Sequence, residues 1–190
     1  LIPELMLQQP GNCLIIYTPA IPNDHKELNF FLRNGYKVKK RAETLGWITR
    51  DINTVAVAGT HGKTTTSSMI AHVLKYANAN IVAFLGGIMQ GYNNNLILSD
   101  HDDGEPIAVV EADEFDRSFL SLFPEIALVS SMDADHLDIY GSGAALTEAF
   151  GAFAGRVRPG GRLVVRNGLP LKGITYGIGD DSQYCIENLR

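Results

Sequence analysis

Residues 55–66 read Val-Ala-Val-Ala-Gly-Thr-His-Gly-Lys-Thr-Thr-Thr and form the most informative stretch of the chain. A short apolar segment leads through glycines into Gly62, Lys63 and Thr64, and a helical pattern follows to about residue 77. Glycine lets backbone N–H groups point toward a bound anion, and the positive end of the following helix attracts it further. The stretch therefore predicts a strand, a phosphate-binding loop and a helix.

This loop predicts a site for ATP. Lys63 is expected to reach the β- and γ-phosphates, and the hydroxyl of Thr64 to bind Mg²⁺. The other predicted cofactor-binding residues are Gly59, Thr60, His61, Gly62 and Thr65. For His61 two interpretations stay open, a contact to phosphate or substrate and an exposed loop position. The full pattern G-x-x-x-x-G-K-[ST] has glycine where this chain has Val57, so the alternative is a plain glycine turn with a solvated lysine.

Apolar and amphipathic segments alternate along the rest of the chain. Predicted strands are residues 14–17, 36–40, 53–58, 81–85, 107–110, 126–129, 163–165 and 174–178, and predicted helices are 24–33, 63–77 and 144–157. The first helix is expected to be capped by Asn23 or Asp24, and residues 86–103 are expected to form an exposed excursion. Strands that alternate with helices indicate an α/β fold with a doubly wound, mostly parallel sheet.

Composition narrows the classes of function. With 190 residues, 45% hydrophobic and 19% charged, the chain is long and apolar enough to fold. The 16 Lys and Arg against 21 Asp and Glu argue against nucleic acid or an anionic membrane as a partner. No run is long enough for a membrane span, and two distant cysteines favour a reducing cytoplasm. The missing initial Met suggests a fragment.

Two further predicted strands end in residues that can hold Mg²⁺. Strand 107–110 runs into Glu111, and strand 126–129 leads to Asp135 and His136. Because parallel strands present their carboxyl ends at one edge, these residues are expected to converge with the phosphate loop. Glu111 would be a magnesium ligand, and His136 would bind a second metal with Asp135 orienting its ring. For either cluster alone, a solvated acidic loop is the alternative.

Residues 59–66, 111–119 and 135–138 together resemble the Mur ligases of peptidoglycan synthesis. This resemblance implies a UDP-sugar-binding domain, a central ATPase domain and a C-terminal domain. Residues 1–51 would be the end of the first, Rossmann-like domain, and residues 52–190 most of the second. The third domain would be absent from this chain, which alone is expected to be inactive.

The resemblance also implies a reaction and is strongest to the branch of the family that adds alanine. ATP would convert the lactyl carboxylate of UDP-N-acetylmuramate into an acyl phosphate, and L-alanine would then displace phosphate. Lys63 and His136 are the expected catalytic residues. One Mg²⁺ would bind Thr64 and Glu111, and a second would lie near His136.

The chain departs from the family pattern at two places. Many members carry a carbamylated lysine about one helix after the His, but residues 147–153 contain no lysine. Related ligases often have Asn where this chain has Ser131. The first departure concerns the surroundings of the second predicted metal, and the second leaves open a ligand or hydrogen bond at residue 131.

Other interpretations remain. One is a recycling ligase that joins UDP-N-acetylmuramate to a tripeptide, because its phosphate loop is nearly the same. Another is a phosphate-loop nucleotide-binding module without ligase activity, which would bind ATP without any dependence on a UDP-sugar. A metal hydrolase built on His101 and His136 lacks the usual paired His spacing.

Overall fold

The computed structural model describes residues 10–133, 140, 142–178 and 181–187 of the chain. Its helices are α1 (Lys26–Arg33), α2 (Arg41–Thr49), α3 (Lys63–Tyr76) and α4 (Gly143–Ala154), with 3₁₀ helices at Pro10–Asn12 and Phe115–Ser121. Its strands are β1 (Leu14–Tyr17), β2 (Lys37–Lys40), β3 (Asn53–Ala58), β4 (Ile81–Met89), β5 (Asn94–Leu98), β6 (Ile107–Ala112), β7 (Ile126–Val129), β8 (Arg162–Arg166), β9 (Ile174–Ile178) and β10 (Tyr184–Ile186).

The strands form two sheets. β1 and β2 pair in parallel and make a two-stranded sheet of their own. The other strands form an eight-stranded sheet in the order β10-β9-β8-β7-β3-β6-β4-β5. Only the pairing of β4 with β5 is antiparallel within this described sheet. The predicted α/β class with a mostly parallel sheet is confirmed.

Apolar side chains cover both faces of the large sheet. On one face, Val110 packs in a cluster with Phe150 and Phe153 of α4. On the other face, its neighbour Val109 packs with Ala71 of α3. Successive residues of a strand point to opposite faces, so a strand buried on both sides is apolar throughout. This is why the strand predictions from continuous apolar runs succeeded at the centre of the sheet.

Two expectations need correction. The side chain of His25, rather than Asn23 or Asp24, caps α1 by accepting a hydrogen bond from the backbone N–H of Leu28. Most of residues 86–103 are exposed as expected, but they are not an irregular excursion throughout, because β4 continues to residue 89 and pairs with β5. Ile97 of β5 is only 2% exposed. The antiparallel pairing therefore adds an edge to the sheet where polar composition predicted a loop.

Helix α2 was not predicted, and it lies where the small sheet meets the large one. A Cβ on its Gly46 would approach the carbonyl oxygen of Ser121 to 2.3 Å, so this helix packs closely on the 3₁₀ helix at Phe115–Ser121. The hydroxyl of Thr54 in β3 donates to the carbonyl of Thr49 at 3.0 Å. The guanidinium of Arg158 donates to the same carbonyl at 3.0 Å. These contacts attach α2 to the large sheet.

Across the described part of the chain, none of the helices combines the length and the apolar character that crossing a bilayer requires.

Candidate phosphate-loop site

The loop between β3 and α3 depends on its two glycines. Gly59 has a φ of 141° and Gly62 a φ of 82°, values that side chains with a Cβ rarely adopt. A Cβ on Gly59 would also approach the hydroxyl oxygen of Ser130 to 2.2 Å. Val57, which stands where the longer pattern has glycine, is a buried residue of β3 and pairs with Glu111 of β6. The shorter glycine pattern is therefore sufficient for the turn in this chain.

Two serines that follow β7 hold the loop in place. The hydroxyl of Ser131 accepts a hydrogen bond from the backbone N–H of His61 at 2.7 Å and lies 2.9 Å from the hydroxyl of Thr60. The hydroxyl of Ser130 donates to the carbonyls of Ala58, at 3.2 Å, and of His61. Ser131 is only 4% exposed. The serine that replaces the frequent Asn of related ligases thus bonds to the phosphate loop.

Lys63 points back across the loop and is not solvated. Its ammonium donates to the carbonyl of Gly59 at 2.7 Å and to both carboxylate oxygens of Glu114 at 3.0 and 2.8 Å. The side chain of Lys63 is 18% exposed and that of Glu114 is 1% exposed. The alternative of a solvated Lys63 is therefore wrong, and nucleotide binding by the loop stays a prediction.

Glu111 connects the loop helix to the neighbouring strands. Its carboxylate accepts a hydrogen bond from the hydroxyl of Thr64 at 3.0 Å, from that of Ser67 at 3.3 Å and from the backbone N–H of Gly86 at 2.6 Å. Gly86 belongs to β4 and Glu111 to β6, which are adjacent strands. A Cβ at residue 86 would lie 2.6 Å from a carboxylate oxygen of Glu111, so a larger residue there would displace this carboxylate.

The remaining predicted site residues are placed as follows. His61 is exposed, and its Nε2 lies 3.9 Å from a carboxylate oxygen of Asp133. Thr65 is exposed in the first turn of α3. The predicted pair Asp135 and His136 lies outside the described residues.

The carboxyl ends of β7, β3, β6 and β4 are adjacent in the sheet, so the structure brings together Lys63, Thr64 and Glu111.

Sequence reasoning missed Glu114 and Ser130, and it singled out Ser131 only as a departure from the family pattern. Glu114 stands three residues after Glu111 in an acidic segment, where nothing local distinguishes a buried carboxylate from solvated ones. Ser130 was visible only as a residue after a predicted strand, and the partners of Ser131 could not be assigned from the sequence. Their roles depend on the pairing of β3 with β7, which a sequence pattern does not specify.

A cavity of about 440 Å³ opens beside the loop. Its polar end contains Lys63, Glu111 and Asp113, and its apolar wall includes Leu45 of α2 and Phe84 of β4. Further lining residues are Ile16, Arg41, Thr44, Ile48, Leu85, Gly86, Asn95 and Leu96. The cavity thus lies between the segment that carries the small sheet and the β4–β5 hairpin, and it is large enough for a sugar-sized ligand.

The donor atoms near the loop suit a hard divalent cation. Thr64 and Glu111 offer a hydroxyl and a carboxylate next to the predicted phosphate position, and Mg²⁺ typically uses one or two such ligands together with phosphate oxygens and water. Within the described ranges, no group of three or more His, Cys, Asp or Glu side chains forms a metal cage. The residues present therefore fit a magnesium ion that arrives with a nucleotide.

The fold and this loop define a phosphate-loop α/β domain. Residues 57–178 match the family model described as Mur ligase middle domain. Because the match covers more than half of the chain, the chain belongs to the Mur ligase family.

Individual relatives agree with this assignment. The chain is 58% identical over 179 residues to a protein of Flavobacterium psychrophilum named UDP-N-acetylmuramate--L-alanine ligase, and the match covers 94% of this chain and 39% of that protein. The chain therefore spans about two fifths of the length of this relative.

Two solved structures are also similar. The first is UDP-N-acetylmuramate-alanine ligase MurC from Thermotoga maritima, with a TM-score of 0.74, 28% identity, and coverage of 88% of this chain and 39% of that one. The second is UDP-N-acetylmuramate:L-alanyl-gamma-D-glutamyl-meso-diaminopimelate ligase from Neisseria meningitides, with a TM-score of 0.72, 26% identity, and coverage of 82% and 52%.

Proposed function

We propose that this chain is the nucleotide-binding part of an ATP-dependent ligase that joins L-alanine to UDP-N-acetylmuramate. The observation that carries the proposal is the convergence of Lys63, Thr64 and Glu111 at one edge of the sheet. The name of the 58% identical relative supports the choice of substrates. The residue roles below are part of the proposal.

In this proposal the loop binds the phosphates of ATP. The N-terminus of α3 directs backbone N–H groups and the positive end of the helix dipole toward the anion. Within the described residues, no side chain caps this helix end. Lys63 would contact the β- and γ-phosphates and stabilise the negative charge that accumulates during phosphoryl transfer.

Thr64 and Glu111 are the residues that would hold Mg²⁺. The hydroxyl of Thr64 would turn from the carboxylate of Glu111 toward the ion. When bound, the ion neutralises phosphate charge and orients the γ-phosphate. His136 remains the predicted residue for a second metal.

The acceptor would occupy the cavity beside Lys63. Its carboxylate oxygen attacks the γ-phosphorus, the bond from that phosphorus to the β,γ-bridging oxygen breaks, and ADP leaves. The amine of L-alanine then attacks the acyl carbon, a C–N bond forms, phosphate leaves with the C–O bond electrons, and the nitrogen loses a proton to solvent.

The proposal includes a division into domains. Residues 1–51 would be the end of a UDP-sugar-binding, Rossmann-like domain, and residues 52–190 the central ATP-binding domain. The separate pairing of β1 with β2 supports this boundary.

A UDP-sugar acceptor and ATP are both cytoplasmic metabolites, which supports a cytoplasmic location.

The test measures phosphate release by the full-length protein with ATP and UDP-N-acetylmuramate, supplied with either L-alanine or the tripeptide L-alanyl-γ-D-glutamyl-meso-diaminopimelate. We expect release with L-alanine and little with the tripeptide. Equal or faster turnover with the tripeptide would reject the alanine branch. Phosphate release that does not depend on the UDP-sugar would reject ligase activity itself.

The tripeptide ligase is the second candidate because the fold is almost equally similar to one. Its structure from Neisseria meningitides has almost the same TM-score as MurC from Thermotoga maritima, 0.72 against 0.74. The fold therefore does not distinguish the two activities, and the competing amine substrates must do so.

A further inference from the structure

The ammonium of Lys63 already uses its full set of hydrogen-bond donors within the protein. A lysine ammonium has three N–H donors. The acceptors are the carbonyl oxygen of Gly59 at 2.7 Å and the two carboxylate oxygens of Glu114 at 3.0 and 2.8 Å. A phosphate can therefore bind Lys63 only if it replaces one of these contacts.

The contact most easily replaced is one to Glu114. The carbonyl of Gly59 belongs to the loop that would surround the phosphates, so this acceptor stays close to Lys63 when a nucleotide binds. The carboxylate of Glu114 is an anion and repels a polyphosphate, and at 1% exposure water screens this repulsion poorly. Glu114 and phosphate thus compete for the same donors.

The backbone around Glu114 is held by several hydrogen bonds, so its carboxylate can move only by rotation about the side-chain bonds. The hydroxyl of Tyr140 and the backbone N–H of Arg117 both donate to the carbonyl of Glu114. The backbone N–H of Phe119 donates to the carbonyl of Asp113 at 2.9 Å. After one contact is exchanged, Glu114 can still hold Lys63 through the other oxygen.

We propose that Glu114 is a positioning residue that orients Lys63 and competes with phosphate for it. It holds the ammonium in front of the phosphate site before nucleotide binds. It lowers the affinity for the β-phosphate and improves the alignment of Lys63 during phosphoryl transfer. This inference rests on the proposed function and extends it, because it adds a carboxylate with opposite effects on nucleotide affinity and on turnover.

The test uses the full-length protein, with titration calorimetry for ADP and AMP and the phosphate-release assay for turnover. Glu114→Gln removes the charge and keeps the shape of the side chain. We expect the Kd for ADP to fall about tenfold, since a unit charge this close to phosphate interacts strongly in a half-buried site. We expect kcat to fall at least about tenfold because Lys63 is held less firmly. The affinity for AMP, which lacks the β-phosphate, should not change.

Two further variants separate charge from geometry. Glu114→Asp keeps the charge but shortens the side chain, so the Kd for ADP should stay near the wild-type value while kcat falls. Glu105→Gln makes the same chemical change at an exposed residue just before β6, at the opposite end of that strand. Neither ADP affinity nor kcat should change in this control.

The outcomes distinguish the inference from the proposed function. If wild-type protein binds ADP but Glu114→Gln binds it equally well or more weakly, Glu114 does not compete with phosphate and the inference is wrong. If Glu114→Gln changes the affinities for ADP and AMP alike, the residue only supports the fold, which also overturns the inference. If wild-type protein does not bind ADP, the proposed function fails as well.

Discussion

The carboxylates of Glu111 and Glu114 differ in what they contact, although they stand three residues apart. Glu111 accepts hydrogen bonds from neutral donors, which include the hydroxyl of Thr64 and the backbone N–H of Gly86. The carboxylate of Glu114 forms an ion pair with the charged ammonium of Lys63. Because these partners differ, removing the side chain of Lys63 and removing that of Glu111 are expected to have different effects.

Replacing Lys63 by Ala is expected to affect both activity and stability. ADP formation should be lost, because no other described cation is placed on the loop. The free energy of unfolding should also fall by about 1–3 kcal/mol, since the buried carboxylate of Glu114 loses a charged partner. Urea denaturation and the ADP assay measure the two effects.

The double variant Lys63→Ala with Glu114→Gln should recover part of the stability and none of the activity. If Lys63→Ala alone is as stable as the wild-type protein, the buried ion pair does not contribute to stability as expected.

Replacing Glu111 by Ala is expected to raise the Mg²⁺ concentration needed for half-maximal activity by about tenfold or more, because one carboxylate ligand is lost. A Mg²⁺ titration of phosphate release at saturating ATP measures the change. Glu105→Ala, which removes an exposed carboxylate before β6, is the matched control and should leave the titration unchanged. An unchanged titration in Glu111→Ala would remove this residue from the metal site.

At the scale of elements, α2 shows how tertiary contacts can override a weak local signal. The helix contains Gly46, Trp47 and Thr49, none of which favours a helix strongly. Its capping box, in which Glu43 accepts a hydrogen bond from the backbone N–H of Lys40 at 3.0 Å, starts the helix. Packing on the 3₁₀ helix then requires glycine at residue 46.

The close packing of α2 predicts opposite effects for two glycine substitutions. Gly46→Ala should lower the free energy of unfolding by about 1–3 kcal/mol, because the new Cβ meets the backbone carbonyl of Ser121, which cannot move easily. Gly151→Ala in α4 should raise it by up to about 1 kcal/mol, because its Cβ meets nothing within 4 Å and alanine is the better helix former. Thermal or urea denaturation compares the two. Equal effects would contradict the packing of α2 described here.

At the scale of the whole molecule, the strand order decides what lies next to the phosphate loop. β3 is flanked by β7 and β6, so Ser130 and Ser131 approach the loop from one side and Glu111 from the other. The next strand, β4, and its antiparallel partner β5 complete one wall of the cavity. Helix α2 forms part of the opposite wall, so this cavity depends on both sheets.

Because two distant segments line the cavity, ligands should protect different parts of the chain from hydrogen exchange. ADP is expected to slow exchange in residues 59–66. UDP-N-acetylmuramate is expected to slow exchange in both α2 and the β4–β5 hairpin. Exchange measured by mass spectrometry on the full-length protein, with UDP-glucose as the control ligand, tests this. Protection by UDP-N-acetylmuramate that spares both segments would show that the acceptor binds elsewhere.

The central strands, the phosphate loop and α3 could be predicted from the chain because their signals are local. Residues 55–58 are apolar, Gly59 and Gly62 permit the turn, and the helical pattern begins directly at Lys63. The convergence of Lys63, Thr64 and Glu111 also followed, since parallel strands end at one edge. The predicted roles of these residues, and that of His136, stay predictions.

Local chemistry was thus enough to establish the α/β class, the loop and the family to which the chain belongs. Only the folded chain established the β4–β5 hairpin, the packing of α2, the bonds of Ser131 to the loop and the pairing of Lys63 with Glu114. Apart from the local β4–β5 hairpin, these features join residues far apart in the sequence, and their stability comes from burial and from hydrogen-bond partners. Pairing with β4 therefore gives residues 94–98 a strand structure and buries Ile97, although the other residues of that strand stay exposed, because burial depends on which neighbours the folded chain supplies.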